Sequence, residues 1–519
     1  MPLEPILILL FIVATAVAIV ARRLRLPYTI ALVLAGLGLG QLHAFEAPHL
    51  TQELLFAVFL PGLLFEAAFH LDFAGFRRDM SLTLALAVPG VLAAILLTAA
   101  ILMGMAALLP LDDALTWARA LVFGALVAAT DPIAVVGLFR TLGAPHRLSA
   151  LLEGESLLND GTAIVFFGLI LGIVGGGTLS MPSVILDFVR VVGLGAGIGF
   201  LVGLVVSTLV QRIDDPMIEI TLTTIAAYGA FSASELLHGS GVIATVVAGM
   251  LCGNYGARTG MSPTTRVAVE SFWEYVAFAL NSIIFLLIGF EVRLPDLLAA
   301  WQVILAASLA VLAGRAIVVY LVAGVFARGR ASIPSAWRPV LSWGGLRGGL
   351  SMVLALSLPE SFPNRGLMIA VTFGVVLLSI LVQGLTMGPL LRRLGLARDT
   401  SDRTAYDQSR GDSNAATAAL AEIDRMIGTG QTGSAQLAEV RAEYEARQHR
   451  AREALEALRS RRGDLHTEDL RRARRHLLMI EKAQTLEAVR EGLLDRTAAD
   501  RLLTDVDGRL LHLEERDQV

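Results

Sequence analysis

Apolar residues run in long blocks through the first 391 positions, parted by short polar clusters, and beyond them the pattern turns evenly mixed. A helix needs about 20 predominantly apolar residues to cross roughly 30 Å of hydrocarbon. Blocks near that scale fall at residues 3–21, 27–42, 50–71, 80–109, 117–140, 150–175, 183–211, 216–237, 240–256, 267–290, 297–326, 336–358 and 366–391. They predict an all-α polytopic membrane protein with about thirteen transmembrane helices. After residue 391 the segments "SAQLAEVRAEYEARQHRAREALEALRSRR" and "TEDLRRARRHLLMIEKAQTLEAVREGLL" are rich in Ala, Leu, Glu and Arg, with apolar residues near helical spacing. The chain therefore divides into a transmembrane domain, 1–391, and a water-soluble helical C-terminal domain, 392–519.

Charge sharpens that division. The first 391 residues hold 19 Arg, no Lys and 22 acids, whereas the last 128 hold 23 basic and 24 acidic residues. Assigned to alternate sides of thirteen spans, the loop arginines fall thirteen against four, the larger group including Arg22, Arg23, Arg25, Arg258 and Arg330 and the smaller Arg293. By the positive-inside rule the N-terminus is outside and the tail, opening with Arg392, Arg393 and Arg398, is cytoplasmic in a cell inner (plasma) membrane. The first block precedes its arginines, unlike a signal peptide. With Cys252 as the sole cysteine, no intrachain disulfide or thiolate metal site is expected. Acids accompany the tail's arginines nearly one for one, which argues against nucleic acid and for a helical hairpin packing on itself or on a partner, with a regulatory role open.

Acids inside apolar blocks are costly and mark function by default. The stretch "LLEGESLLNDGTAIVFF", residues 151–167, contains Glu155 and Asp160; Glu66, Asp131, Glu235 and Glu274 lie in other blocks, against Arg315 and Arg347. Not every acid finds a basic partner, so some must be protonated, cation-bound or facing water. On a helix, Ser156, Asn159 and Asp160 share one face, while Glu155 points about 140° away from Asp160. A hydroxyl, an amide and a carboxylate together suit a hard cation rather than a transition metal.

Two blocks carry interruptions. In "VAATDPIAVVG", Pro132 removes a backbone donor and pushes Asp131 out of helical geometry, so the helix breaks around Thr130–Pro132 and frees carbonyls. The same three residues also read as an ordinary helix N-cap with Pro in the first turn. In "LSWGGLRGGLSMV" four glycines surround Arg347. Two interrupted spans in corresponding halves point to discontinuous helices with a site near the midplane.

The combination of "ATDP" at 129–132, "EGESLLNDG" at 153–161, "FEAAFHLD" and "GGLRGGLS" resembles the monovalent cation/proton antiporters of the sodium/hydrogen exchanger type, in particular NhaP-like members, across the whole membrane domain. The resemblance implies thirteen helices, an inverted-repeat core with two crossed unwound helices, a homodimer scaffold and elevator-like transport. It implies that Asp160 is the essential cation- and proton-binding carboxylate, that Asp131 and Thr130 lie beside it, with Pro132 supporting the break, and that Ser156 supplies a hydroxyl ligand. It further implies that Glu66 joins the site; from the residues alone Glu66 equally lines a water-filled cavity. Asn159 stands where electrogenic relatives carry a second Asp, which implies electroneutral exchange of one sodium (or lithium) for one proton. Glu155 and Arg347 are implied to form a buried ion pair. Potassium/proton exchange is the alternative substrate reading. A cation channel and an intramembrane aspartyl protease remain as remote ones, the latter weakened because Asp131 and Asp160 lie in neither protease motif. No cofactor or enzymatic activity is expected; the partners are the transported cation, the proton and membrane lipid.

Overall fold

The computed structural model describes residues 3–24, 28–41, 55–108, 115–175, 181–257, 260–291, 294–329, 332–397, 401–428, 434–461, 463–490 and short pieces between 493 and 509. Arg25, Arg258, Arg293, Arg330 and Arg398, which contribute to the expected sidedness, lie outside the described residues, as do residues 50–54 of the third apolar block. Every regular element among the described residues is helical. The chain forms two compact units, Met1–Arg398 and Asp399–Val519.

The first unit opens with α1 (Leu3–Leu24), α2 (Tyr28–Gln41), α3 (Leu60–His70), α4 (Phe73–Ala85) and α5 (Val91–Leu108). Next come α6 (Trp117–Leu126), α7 (Ile133–Leu142) and α8 (His146–Val174), then α9 (Met181–Val210), α10 (Pro216–Leu236) and α11 (Gly241–Leu251). It closes with α12 (Pro263–Glu291), α13 (Leu294–Ala299), α14 (Trp301–Val325), α15 (Trp337–Trp343), α16 (Gly349–Leu356), α17 (Arg365–Leu378) and α18 (Gly384–Arg393). Among the described residues, six stretches are long and apolar enough to cross a membrane: Phe73–Leu108, His146–Val174, Val184–Val210, Thr265–Phe290, Trp301–Arg328 and Arg365–Arg393. Further apolar helices, α2 and α6 among them, are shorter.

The first of those stretches is continuous only through a wide turn. Pro89 has no amide to donate and its ring crowds the preceding turn, so α4 and α5 are joined by a π-helical segment, Leu86–Gly90. Asp72 starts α4 by accepting hydrogen bonds from the amides of Ala74 and Gly75, both at 3.2 Å.

Helix α8 lies at the centre of the unit. Its first turns pack Leu148, Leu151 and Leu152 against Leu82, Phe139, Val340 and Leu346. Its later turns pack Ala163, Phe166 and Phe167 against Val122–Ala129 and Ala307. Leu157 meets Leu64, Ala68 and Val246 on another side. The middle of α8, Gly154–Ala163, is packed on several sides, so the polar groups Glu155, Ser156, Asn159 and Thr162 are enclosed by the packing rather than turned to solvent.

The second unit contains α19 (Ser401–Gly428), α20 (Ser434–Arg461) and α21 (Gly463–Arg490). Helices α19 and α20 run antiparallel: Tyr406 packs with Leu455, Arg447 pairs with Asp412 and Arg441 with Asp424, at 2.5 and 2.7 Å. These exposed pairs fix register more than they stabilise.

Candidate ion-binding site

Helix α6 ends at Leu126 and α7 begins at Ile133; between them the chain turns at Val127–Ala128 and runs non-helical through Ala129–Pro132. A break of this kind strands carbonyls that need donors. Asn159 supplies its amide nitrogen to Ala128 O at 3.1 Å and to Thr130 Oγ1 at 3.0 Å. Ser156 Oγ donates to Thr130 O. Arg347 Nη1 donates to Ala128 O at 2.7 Å and to Ala129 O at 3.2 Å. The carboxylate of Asp131 accepts from the Ile133 amide at 3.0 Å and thereby starts α7.

The second interruption meets the first. Helix α15 ends at Trp343, α16 begins at Gly349, and residues 345–348 are non-helical, with Gly348 extended. The Asp131 amide donates to Leu346 O at 2.8 Å, joining the two non-helical stretches backbone to backbone. This approach explains one of the glycines: a Cβ on Gly348 would fall inside contact distance of Asp131 Cβ. Opposite, Ser379 Oγ accepts from the Arg347 amide at 3.0 Å.

Asp160 sits half-buried on α8 beside this junction, with the Thr130 backbone amide donating to its carboxylate. Its Oδ1 is closed off from the surface and has no hydrogen-bond partner, and the same holds for Asn159 Oδ1. Asp131 and Glu155, the charged groups that act on Asp160 most directly, are of like sign. Two buried oxygens without donors, near a break whose oxygens are carbonyls and hydroxyls, are of the type that suits a proton or a hard monovalent cation as cargo. Among the described residues no three His, Cys, Asp or Glu side chains converge as a multivalent metal centre requires.

Asp160, Asp131, Thr130, Ser156, Asn159 and Pro132 are thus gathered at one place. The expected Glu155–Arg347 ion pair is not what forms. Glu155, 1% exposed, takes a bidentate pair from Arg315 of α14, Nη1 to Oε1 at 2.7 Å and Nη2 to Oε2 at 2.8 Å, and Arg315 also donates to Leu341 O at 3.2 Å. The reason is competition for donors: the carbonyls of the α6–α7 break take Nη1 of Arg347, and Arg315 presents its fork to Glu155. Arg315 was visible in the sequence as an arginine inside the apolar run "AVLAGRAIVVY"; a guanidinium buried there needs acceptors, and a carboxylate is the one that also cancels its charge. Glu66 also departs from expectation. Its carboxylate lies 3.3 Å from His70 Nδ1, one turn along α3, and no described contact joins it to Asp160. Thr162 was not singled out in the sequence, yet its hydroxyl donates to Ala87 O at 2.5 Å and ties α8 to the wide turn after α4.

The profile of the family described as sodium/hydrogen exchanger, transmembrane, matches residues 7–393. The Na(+)/H(+) antiporter ApNhaP of Aphanothece halophytica is 40% identical over 428 residues, 81% of this chain and 80% of that protein. The Na(+)/H(+) antiporter NhaS2 of Synechocystis is 32% identical over 520 residues, 98% of this chain and 93% of that protein. Among solved structures, the sodium proton antiporter MjNhaP1 of Methanocaldococcus jannaschii superposes with a TM-score of 0.62 at 21% identity, covering 76% of this chain and 98% of that one.

Proposed function

This chain belongs to the sodium/hydrogen exchanger family, and from that premise we propose that it is an integral membrane antiporter that exchanges sodium or lithium for protons, one for one, at Asp160. The observation that carries the assignment is the buried Oδ1 of Asp160, without a donor, facing the junction of two interrupted helices. A carboxylate so enclosed cannot stay charged and unpartnered at low cost, so it holds either a proton or a cation. Asp131, Thr130 and Ser156 complete the oxygen set around the cation, while Asn159 and Pro132 hold the α6–α7 break open.

Competition for one carboxylate couples the two fluxes. The core crosses between sides only when Asp160 is neutralised, because moving it bare would carry an unpaired charge through a low-dielectric path. In this reading the interrupted helices are the crossed pair of an inverted-repeat core among thirteen spans, moving like an elevator against a homodimer scaffold in the plasma membrane. The N-terminus is outside and the C-terminal domain cytoplasmic, placed to regulate the cycle. The related proteins named above are sodium/proton antiporters, which does not favour potassium exchange.

The test is exchange by purified protein in liposomes, with an inside-acid gradient read by a pH-sensitive dye and sodium, lithium or potassium added outside. Wild type is expected to dissipate the gradient with sodium or lithium, and Asp160→Asn to lose this while melting no lower than wild type. A variant that exchanges as well as wild type would refute the assignment of Asp160.

A further inference from the structure

A groove of about 280 Å³ opens on the flank of the first unit where α4, the Leu86–Gly90 turn and α5 pass α14; its walls include Ala85, Pro89, Ala93, Leu321, Val322 and Phe326. Its lining is almost wholly apolar, and its floor is tight: a Cβ on Gly90 would lie 3.3 Å from Val318 Cγ1. One end of the groove points towards basic residues. Arg328 follows Leu321 by seven residues at the end of the Trp301–Arg328 stretch, and Arg78 precedes Ala85 by seven. Seven residues are two helical turns, so Arg78 lies on the same side of α4 as Ala85, about 10 Å along the axis, while Arg328 ends the 3-10 turn Phe326–Arg328 that follows α14 and begins at the groove residue Phe326. Arg328 is exposed, and no acidic side chain lines the groove.

We propose that this groove holds one anionic phospholipid of the cytoplasmic leaflet, an acyl chain lying between α4–α5 and α14 and the phosphate meeting the guanidinium groups of Arg328 and Arg78. The leaflet rests on the sidedness proposed above. Hydrocarbon alone would fill the groove with any lipid; selection for negative charge comes from the arginines at its mouth. The position matters for the ion site, because the inner side of the same Leu86–Gly90 turn accepts the hydroxyl of Thr162, two residues beyond Asp160. A chain seated on the outer side braces that turn.

The experiment is delipidation of the full-length protein in neutral detergent, followed by titration with phosphatidylglycerol or phosphatidylcholine. Bound lipid is counted by native mass spectrometry and the melting temperature is followed in parallel. Wild type is expected to retain one phosphatidylglycerol saturably, with a raised melting temperature, and to hold phosphatidylcholine more weakly. Ala93→Trp, which fills the groove, should abolish retention, and Arg328→Gln should weaken it about fivefold. Val322→Phe replaces Ala93→Trp if the latter does not fold. Equal retention of the two lipids, or unchanged phosphatidylglycerol binding in a folded groove-filled variant, overturns the proposal. Retention is read without any ion gradient, so absence of sodium/proton exchange in wild type would sink the antiporter reading alone.

Discussion

Replacing Arg315 by Met tests the partner of Glu155 directly. The substitution removes two charge-assisted hydrogen bonds of 2.7 and 2.8 Å and leaves a carboxylate that is 1% exposed facing an apolar side chain. Two unit charges about 4 Å apart attract by about 4 kcal/mol at an effective dielectric near 20. Removing one partner of a buried pair costs about 3–5 kcal/mol in measured cases, so the two routes agree. Thermal melting of the detergent-solubilised full chain should therefore drop markedly for Arg315→Met. Adding Glu155→Gln should recover much of the loss, since the orphaned charge is then gone. Arg347→Met should also destabilise, by about 1.5–3 kcal/mol per lost charged hydrogen bond to Ala128 O or Ala129 O, but Glu155→Gln should not rescue it. Rescue of Arg347→Met rather than Arg315→Met by Glu155→Gln would refute the pairing and return Glu155 to Arg347.

Three further outcomes follow from the site geometry. If protons and sodium compete for one carboxylate as proposed, the apparent sodium KM in proteoliposomes should rise by up to about tenfold per pH unit as pH falls below that group's pKa, while flux at saturating sodium holds; a loss of flux at low pH that saturating sodium does not reverse would contradict competition. Gly348→Ala should push Asp131 away from Leu346, costing about 1–3 kcal/mol and most of the exchange, whereas Gly366→Ala, whose added Cβ meets nothing within 4 Å, should leave both melting and flux near wild type. An imposed potential should leave the equilibrium sodium gradient unchanged, since one-for-one exchange moves no net charge; a cycle moving one charge would shift it by about 2.3 kcal/mol per 100 mV.

The residues that gather at the site were legible because each breaks a local rule. Pro132 inside an apolar run predicts an interruption, and the structure ends α6 six residues before it. Ser156, Asn159 and Asp160 at i, i+3 and i+4 had to share a face on any helix, and they do meet one junction. Partners were not legible in the same way. The helical angle placed Glu155 away from Asp160 but could not say which arginine it faced, because that depends on how α14 and the 345–348 stretch pack around α8. Glu66 shows the same limit: its own helix supplies His70 at i+4, and a local partner outcompetes one that only tertiary packing could bring. The wide turn at Pro89 was likewise absorbed into a single apolar block, since hydropathy registers length and not hydrogen-bond phase.

How the two buried arginines are spent bears on stoichiometry. Around the junction stand three acids, Glu155, Asp131 and Asp160, and two bases, Arg315 and Arg347. Arg315 and Glu155 cancel at contact distance. Arg347 hydrogen-bonds backbone carbonyls rather than a carboxylate, so its charge balances the junction without blocking either aspartate. Asp131 in turn is engaged by the Ile133 amide, which leaves Asp160 as the group with an open oxygen. With all five groups ionised the set is short of neutrality by one positive charge, and in the proposed cycle a single sodium ion or a single proton supplies it. Two protons would leave the core positive, and none would leave it negative; both states are costly to move through hydrocarbon. A second carboxylate at position 159 would raise the deficit to two, but Asn159 instead contributes an amide whose donor side is fully used on the α6–α7 break. The one-for-one exchange proposed above would then have its physical basis in the charge of the junction itself, and Asn159→Asp, which adds a carboxylate there, is expected to change the number of charges moved per cycle.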